Sequence, residues 1–202
     1  MFDLSRIPTP RVLAGTPEVS YRDPAALLVN GEIRLWFTEN HALPEGGMQS
    51  HVSEIRSRDL SRWTAPKAVT IPGDAANWSS PGNVVRQGDE WVMCLQTYPT
   101  PTGGYIGDDT CRIYTMRSRD LEAWSPPELL LVKGAHVLGK AMGRMIDPYL
   151  LQDKDDPCLW WCFYKQNGAS ISRSRDLRQW EYVGRTDCGE NVSALIRDDE
   201  YL

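Results

Sequence analysis

Arg117-Ser118-Arg119-Asp120-Leu121, with Trp124 three residues on, occurs three times in this chain in near-identical form. The first copy is Arg56-Ser57-Arg58-Asp59-Leu60 with Trp63, and the last is Arg173-Ser174-Arg175-Asp176-Leu177 with Trp180. The copies are 61 and 56 residues apart, a spacing that belongs to repeated supersecondary units rather than to a short motif. The Asp suits a turn that caps its own backbone, and the Trp suits a wedge between neighbouring units. The arginines recur with the turn, so they belong to the unit and not to a nucleic-acid patch.

Each copy has a matching front half. Asp23-Pro24 leads into Ala26-Leu27-Leu28-Val29, an Asn30-Gly31 turn, and Ile33 to Thr38. Ser80-Pro81 leads into Val84-Val85, a Gly88-Asp89 turn, and Trp91 to Gln96. Asp147-Pro148 leads into Tyr149-Leu150-Leu151, a turn at Asp153 to Pro157, and Leu159 to Tyr164. Glu190-Asn191 leads into Val192 to Ile196, an Asp198-Asp199 turn, and Tyr201-Leu202. Asn-Gly between apolar runs is a strong hairpin signal.

The unit therefore reads strand, tight turn, strand, loop, strand, capped turn and Trp. A unit of this length with three or four antiparallel strands is a β-propeller blade, which must stack on its neighbours to bury both faces. The expected fold is all-β, a β-propeller with about three and a half blades. They run from about 21 to 66, 78 to 127 and 145 to 183, and a further blade starts over 188–202. A blade opened and not finished predicts a C-terminally incomplete propeller. Open blade faces then predict self-association.

Composition agrees. The 16 Gly and 14 Pro are spread along the chain, which leaves little room for long helices. The most helix-like stretch, Leu129 to Met145, is interrupted by Gly134, Gly139 and Gly143. A net charge of −5 speaks against a nucleic-acid partner. No apolar run is long enough for a membrane span. Pro8 and Pro10 stand where a secretion signal needs an apolar core, and five scattered cysteines form no disulfide framework, so a cytoplasmic setting is expected. Cys158 and Cys162 are expected to share one buried strand face.

In a propeller the first strand of each blade lines the central channel. The opening residues Asp23, Ser80, Asp147 and Glu190 should therefore converge, and three of them are carboxylic acids. One Asp-Pro pair would be an ordinary turn starter. Three acids at equivalent positions suit hydrolysis of a glycosidic bond, which needs a protonated acid on one face and a base or nucleophile on the other. Arg22 and Arg144 flank two of these positions and suit sugar hydroxyls, a sugar carboxylate or phosphate, or ion pairs with the acids. Trp78 and Ser80 are further candidates for substrate contact, Trp78 as a platform for a sugar ring. His41, His51 and His136 fall in expected loops without metal-ligand spacing. No cofactor is expected, and a channel metal such as calcium is compatible with the acids.

These motifs resemble glycoside hydrolase family 43 and its relatives in families 32 and 68, the five-bladed propeller glycosidases. The likeness rests on Asp23-Pro24 with its following Gly turn and aromatic strand, on Ile146-Asp147-Pro148, and on Glu190. It implies Asp23 as general base, Asp147 as the group that tunes and orients the acid, and Glu190 as general acid in an inverting hydrolase acting on an oligosaccharide. In this chain Glu190 is followed by Asn191-Val192, whereas the family often has a small residue and Pro there. Two other readings compete. One is a phosphorylase-type propeller that uses the arginines for phosphate. The other is a non-catalytic carbohydrate- or protein-binding propeller.

Overall fold

The computed structural model describes residues 12–73, 76–98, 108–166, 168–186 and 194–201. Strands β1 (Val19–Val29), β2 (Glu32–Ala42), β3 (Met48–Ser57) and β4 (Lys67–Ala68) form the first antiparallel sheet in that order. In the second sheet, β5 (Trp78–Ser79) and β6 (Val84–Gln87) both pair with β7 (Glu90–Thr97), which continues to β8 (Arg112–Ser118) and β9 (Glu128–Leu129). The third sheet is β10 (Ile146–Gln152), β11 (Trp160–Lys165), β12 (Ala169–Ser174) and β13 (Trp180–Thr186). A hairpin of β14 (Ile196–Arg197) and β15 (Glu200–Tyr201) follows. Among the described residues the helical element is one 3₁₀ turn, Gly139–Met142, inside the stretch whose glycines argued against a longer helix.

The turn residues explain the hairpins. Asn30 and Gly31 take φ of 50° and 74°, and Asp198 and Asp199 take 51° and 66°, the paired positive φ of a type I′ turn. That turn matches the twist of the strands it joins.

Alternation along β7 shows how the sheets stack. Val92 and Cys94 belong to a core shared with Leu150, Trp160, Cys162 and Trp180 of the third sheet. Met93 and Leu95 belong to a core shared with Trp36 and Val52 of the first. The middle sheet is thus buried on both faces, and its innermost strand β6 touches both β1 and β10. First strands inside and later strands outside is the packing of propeller blades.

The triplicated motif builds three equivalent turns. Ser57, Ser118 and Ser174 each accept an N–H from the Asp two residues on. Each Asp in turn caps two N–H groups, those of Ser61 and Arg62, of Glu122 and Ala123, and of Arg178 and Gln179. These bonds hold Leu60, Leu121 and Leu177 at φ of 62°, 64° and 53°, a region leucine rarely adopts. The bent backbone turns the leucine carbonyl toward the preceding sheet. Arg34 donates to the Leu121 carbonyl at 2.9 Å, and Arg117 donates to that of Leu177 at 3.0 Å. Trp124 meets Trp36 of the first sheet edge-on at 6.1 Å, and Trp180 is buried against the second sheet. Glu122 bridges Arg34 and Arg56, and its hydrogen bond from Arg56 leads the effects that hold its carboxyl down at about 2. The repeat is therefore a device for joining one sheet to the next.

Two local expectations fail. Cys162 is buried in β11, but Cys158 is exposed in the turn before it, because Asp156 caps the Cys158 N–H there and delays the strand to Trp160. His41 and His51 lie in strands β2 and β3, because the hairpin pairing runs unbroken to Ala42↔Met48.

Candidate active site

Each of the first three sheets has an irregularity at its opening residue. Asp23 and Pro24 stand opposite the single residue Phe37, and Asp147 and Pro148 opposite Tyr164, so both are β-bulges. In the second sheet Ser80–Asn83 interrupt the inner strand between β5 and β6. Asp23, Ser80 and Asp147 share a left-handed backbone, with φ of 54°, 43° and 52°. Such strain costs about 1–3 kcal/mol per residue and persists where the surroundings over-determine it. The following proline carries no N–H, so the bulge strands no donor.

The side chain across the hairpin in one sheet grips the bulge in the next. Thr38 lies opposite Arg22, and its hydroxyl accepts the Ser80 N–H at 2.7 Å. Gln96 lies opposite Ser79, and its carbonyl accepts the Asp147 N–H at 2.5 Å. Lys165, opposite Ile146, is the third residue at this position. Register alone connects these three residues, and aligning the hairpins about their Asn-Gly and Gly-Asp turns was the available clue.

Asp23 is held through one oxygen. Its Oδ2 accepts the Arg22 guanidinium at 2.9 Å, the Ser80 hydroxyl at 3.0 Å and the Thr38 hydroxyl at 3.2 Å. Ser80, expected at the substrate, is buried and orients this carboxylate. Asp147 is more enclosed. Burial raises its carboxyl above the ordinary 3.8, the negative Asp23 adds to the rise, and Lys165, Arg144 and Arg22 oppose it. Asp147 thus feels the charges of Asp23, Arg22 and Arg144, which gathers the four around one site. Tyr98, just past β7, joins them. Burial first, and then the charge of Asp147, push its phenol up, so it stays protonated. Sequence reasoning missed Tyr98, which carries no repeat signal.

Glu190 lies outside the described residues. Trp78 corrects an expectation. It is 7% exposed and meets Tyr114 edge-on at 4.8 Å, so its indole fills the core between the first two sheets. Facing the preceding sheet from β5, it offers no open face to a sugar.

The raised Asp147 makes a pH prediction. Between 3.8 and its raised value, the folded chain binds a proton that the unfolded chain releases. Stability from this group therefore falls as pH rises through that window. Asp147→Asn is expected to remove this downward contribution, so that stability rises more steeply with pH through the window, and to raise the urea midpoint above it. An unchanged slope in denaturation curves across the acid range would contradict this placement.

No family model matches the chain, and no curated protein matches it in sequence. Solved structures do match in fold. A family 117 glycoside hydrolase from the marine bacterium Zobellia galactanivorans superposes with a TM-score of 0.65 at 15% identity, over 84% of this chain and 57% of its own. A structure described for the family 130 mannoside phosphorylases, a family containing glycoside hydrolases that target β-1,2 mannosidic linkages in Candida mannan, gives 0.63 at 16%, over 84% and 50%. An N-acetylgalactosamine deacetylase from F. plautii, solved with blood group B trisaccharide, gives 0.66 at 13%, over 84% and 53%. The chain thus spans about half the length of these structures.

Proposed function

We propose that this site is the hydrolytic centre of an inverting glycoside hydrolase on a five-bladed propeller, acting on an oligosaccharide. One observation carries the reading: equivalent bulges in the first and third sheets present Asp23 and Asp147, and the charge of Asp23 is among the causes that raise the Asp147 carboxyl. Carbohydrate-active fold neighbours support it, and the motif likeness within that group is to family 43.

Asp23 is the general base. The donors on Oδ2 fix the carboxylate and leave Oδ1 to take a proton from the attacking water. Glu190 is the general acid that protonates the leaving oxygen. Asp147 supplies the negative charge that would raise the acid's proton affinity and orient it. Lys165 is at the position from which Thr38 and Gln96 grip the next opening residue, and it is the partner we assign to Glu190. Tyr98 contributes a neutral hydroxyl donor for a sugar oxygen. Arg22 is paired with Asp23, which favours hydrolysis over a phosphorylase in which that guanidinium binds phosphate.

The test is the stereochemistry of turnover, followed by proton NMR of the newly released sugar. An inverting site requires the first-formed anomer to be opposite to that of the substrate, with the Asp23 and Glu190 carboxyl groups roughly 6.5–9.5 Å apart. Retention of configuration, or turnover that needs inorganic phosphate, would overturn the mechanism. Glycan binding without turnover would favour the non-catalytic propeller instead.

A further inference from the structure

Away from the acids, the first sheet gathers two imidazoles and a carboxylate. Glu39 and His41 are two apart on β2 and so share a face. His51 on β3 is directly opposite Glu39, and His41 is opposite Gln49, one diagonal step from His51. The rings stack with centroids 5.4 Å apart and planes 13° from parallel. His41 Nε2 lies 3.0 Å from one Glu39 oxygen, and His51 Nε2 lies 3.6 Å from the other. The three ligand atoms all fall within 4.8 Å of one another. We propose that Glu39, His41 and His51 form a binding site for one divalent transition-metal ion of the zinc type, distinct from the glycosidase centre.

The donor set selects the metal. Two imidazole nitrogens and one carboxylate oxygen suit Zn²⁺ and its neighbours, whereas Ca²⁺ and Mg²⁺ prefer oxygen alone. Tetrahedral ligation at about 2 Å per donor needs donor separations of roughly 3.4 Å, within reach of side-chain rotation from the present geometry.

The surroundings resemble a prepared site. The His51 side chain is 8% exposed, and its Nδ1 is buried without a hydrogen-bond partner. Ligation through Nε2 would put the ring proton on Nδ1, which has no outer acceptor here. Ser53 donates its hydroxyl to Glu39 at 2.7 Å, the outer contact that commonly orients a ligating carboxylate. His41 is 39% exposed and leaves a path for the ion and for a water in the fourth position. The pattern escaped sequence reading because Glu39 and His41 are separated from His51 by a hairpin turn. A bound ion would brace β2 against β3 one residue beyond Thr38, which holds both Asp23 and Ser80.

The experiment is calorimetric titration of chelator-treated protein with Zn²⁺ alone. Cys158→Ser and Cys188→Ser are introduced throughout, to remove thiols that compete for the metal. One ion per chain is expected. His41→Ala and Glu39→Gln should each weaken binding by about 100-fold or more, above the loss typical of an outer-shell partner. His41 is partly exposed, so its variant keeps the fold, which circular dichroism verifies. Zn²⁺ should raise Tm in the parent and leave the Glu39→Gln variant unmoved. Absence of saturable binding, or equal affinity in parent and His41→Ala, would overturn the proposal. Neither result depends on the glycosidase reading, because no residue of the acid site takes part.

Discussion

Asp23→Asn is expected to lower hydrolysis by about 10³-fold while leaving sugar affinity nearly unchanged, the range spanned by loss of a positioned acid or base. The substitution is close to isosteric. An Asn carbonyl can still accept the bonds that Ser80 and Thr38 now give to Oδ2. Asn also tolerates a φ of 54° better than most residues, so the bulge survives. The change removes one negative charge and the ability to take a proton. A second readout separates chemistry from misfolding. Asp23 raises the Asp147 carboxyl, so its neutralisation should move Asp147 downward, visible in carboxyl carbon NMR titrations. Hydrolysis at the parent rate would mean that Asp23 serves only the bulge. An unmoved Asp147 would mean that the two acids do not share a site.

The largest stability loss is expected from Gly82→Ala. A Cβ there would overlap the carbonyl oxygen of Pro148 and press to 2.8 Å from Cys94 Sγ. The neighbour that must yield is backbone of the next sheet, held by its own bonds. Asn83, beside Gly82, accepts the Leu150 N–H at 2.9 Å and donates to the Leu150 carbonyl at 2.7 Å. Cys94 donates to Pro148 at 3.3 Å, and its burial pushes the thiol up to about 12, so it cannot relax by ionising. The sheets can separate only by breaking this set. Overpacking of that kind costs about 3 kcal/mol, at the upper end of the usual range. For a chain of this size that is a fall of about 6–12 °C in Tm. A loss below about 1 kcal/mol would show that the interface yields.

Much of the architecture was legible because it is local. Ser57, Ser118 and Ser174 with their aspartates close turns through bonds two and three residues away, and so they declare themselves in sequence. Asn30-Gly31 and Asp198-Asp199 do the same through the φ they permit. The bulge positions Asp23 and Asp147 were visible as Asp-Pro pairs at repeat-equivalent places. Spacing could not reveal that the same strained φ recurs at Ser80, where no acid is present.

What escaped the sequence depends on contacts between elements. Trp78 stands beside Ser80 in sequence, which suits a sugar platform, yet its indole turns into the core. Which face a strand residue occupies follows from pairing and twist. Ser80 has an ordinary side chain, and only packing against the first sheet turns it into the donor that fixes Asp23. Thr38 and Gln96 share a role, and Lys165 their place in the hairpin, that exist only once each hairpin has its register and each sheet its neighbour. Tyr98 enters the site because the second sheet ends there against the third. The three histidines gave no ligand spacing along the chain, and cross-strand pairing alone set His51 beside Glu39 and His41. Repeats, turns and the acids available were determined by the sequence itself, because those features depend on residues a few positions apart. Which acids meet, what holds them and which face each aromatic takes were decided by the stacking of one sheet on the next. That stacking is set by the side chains of all three sheets together.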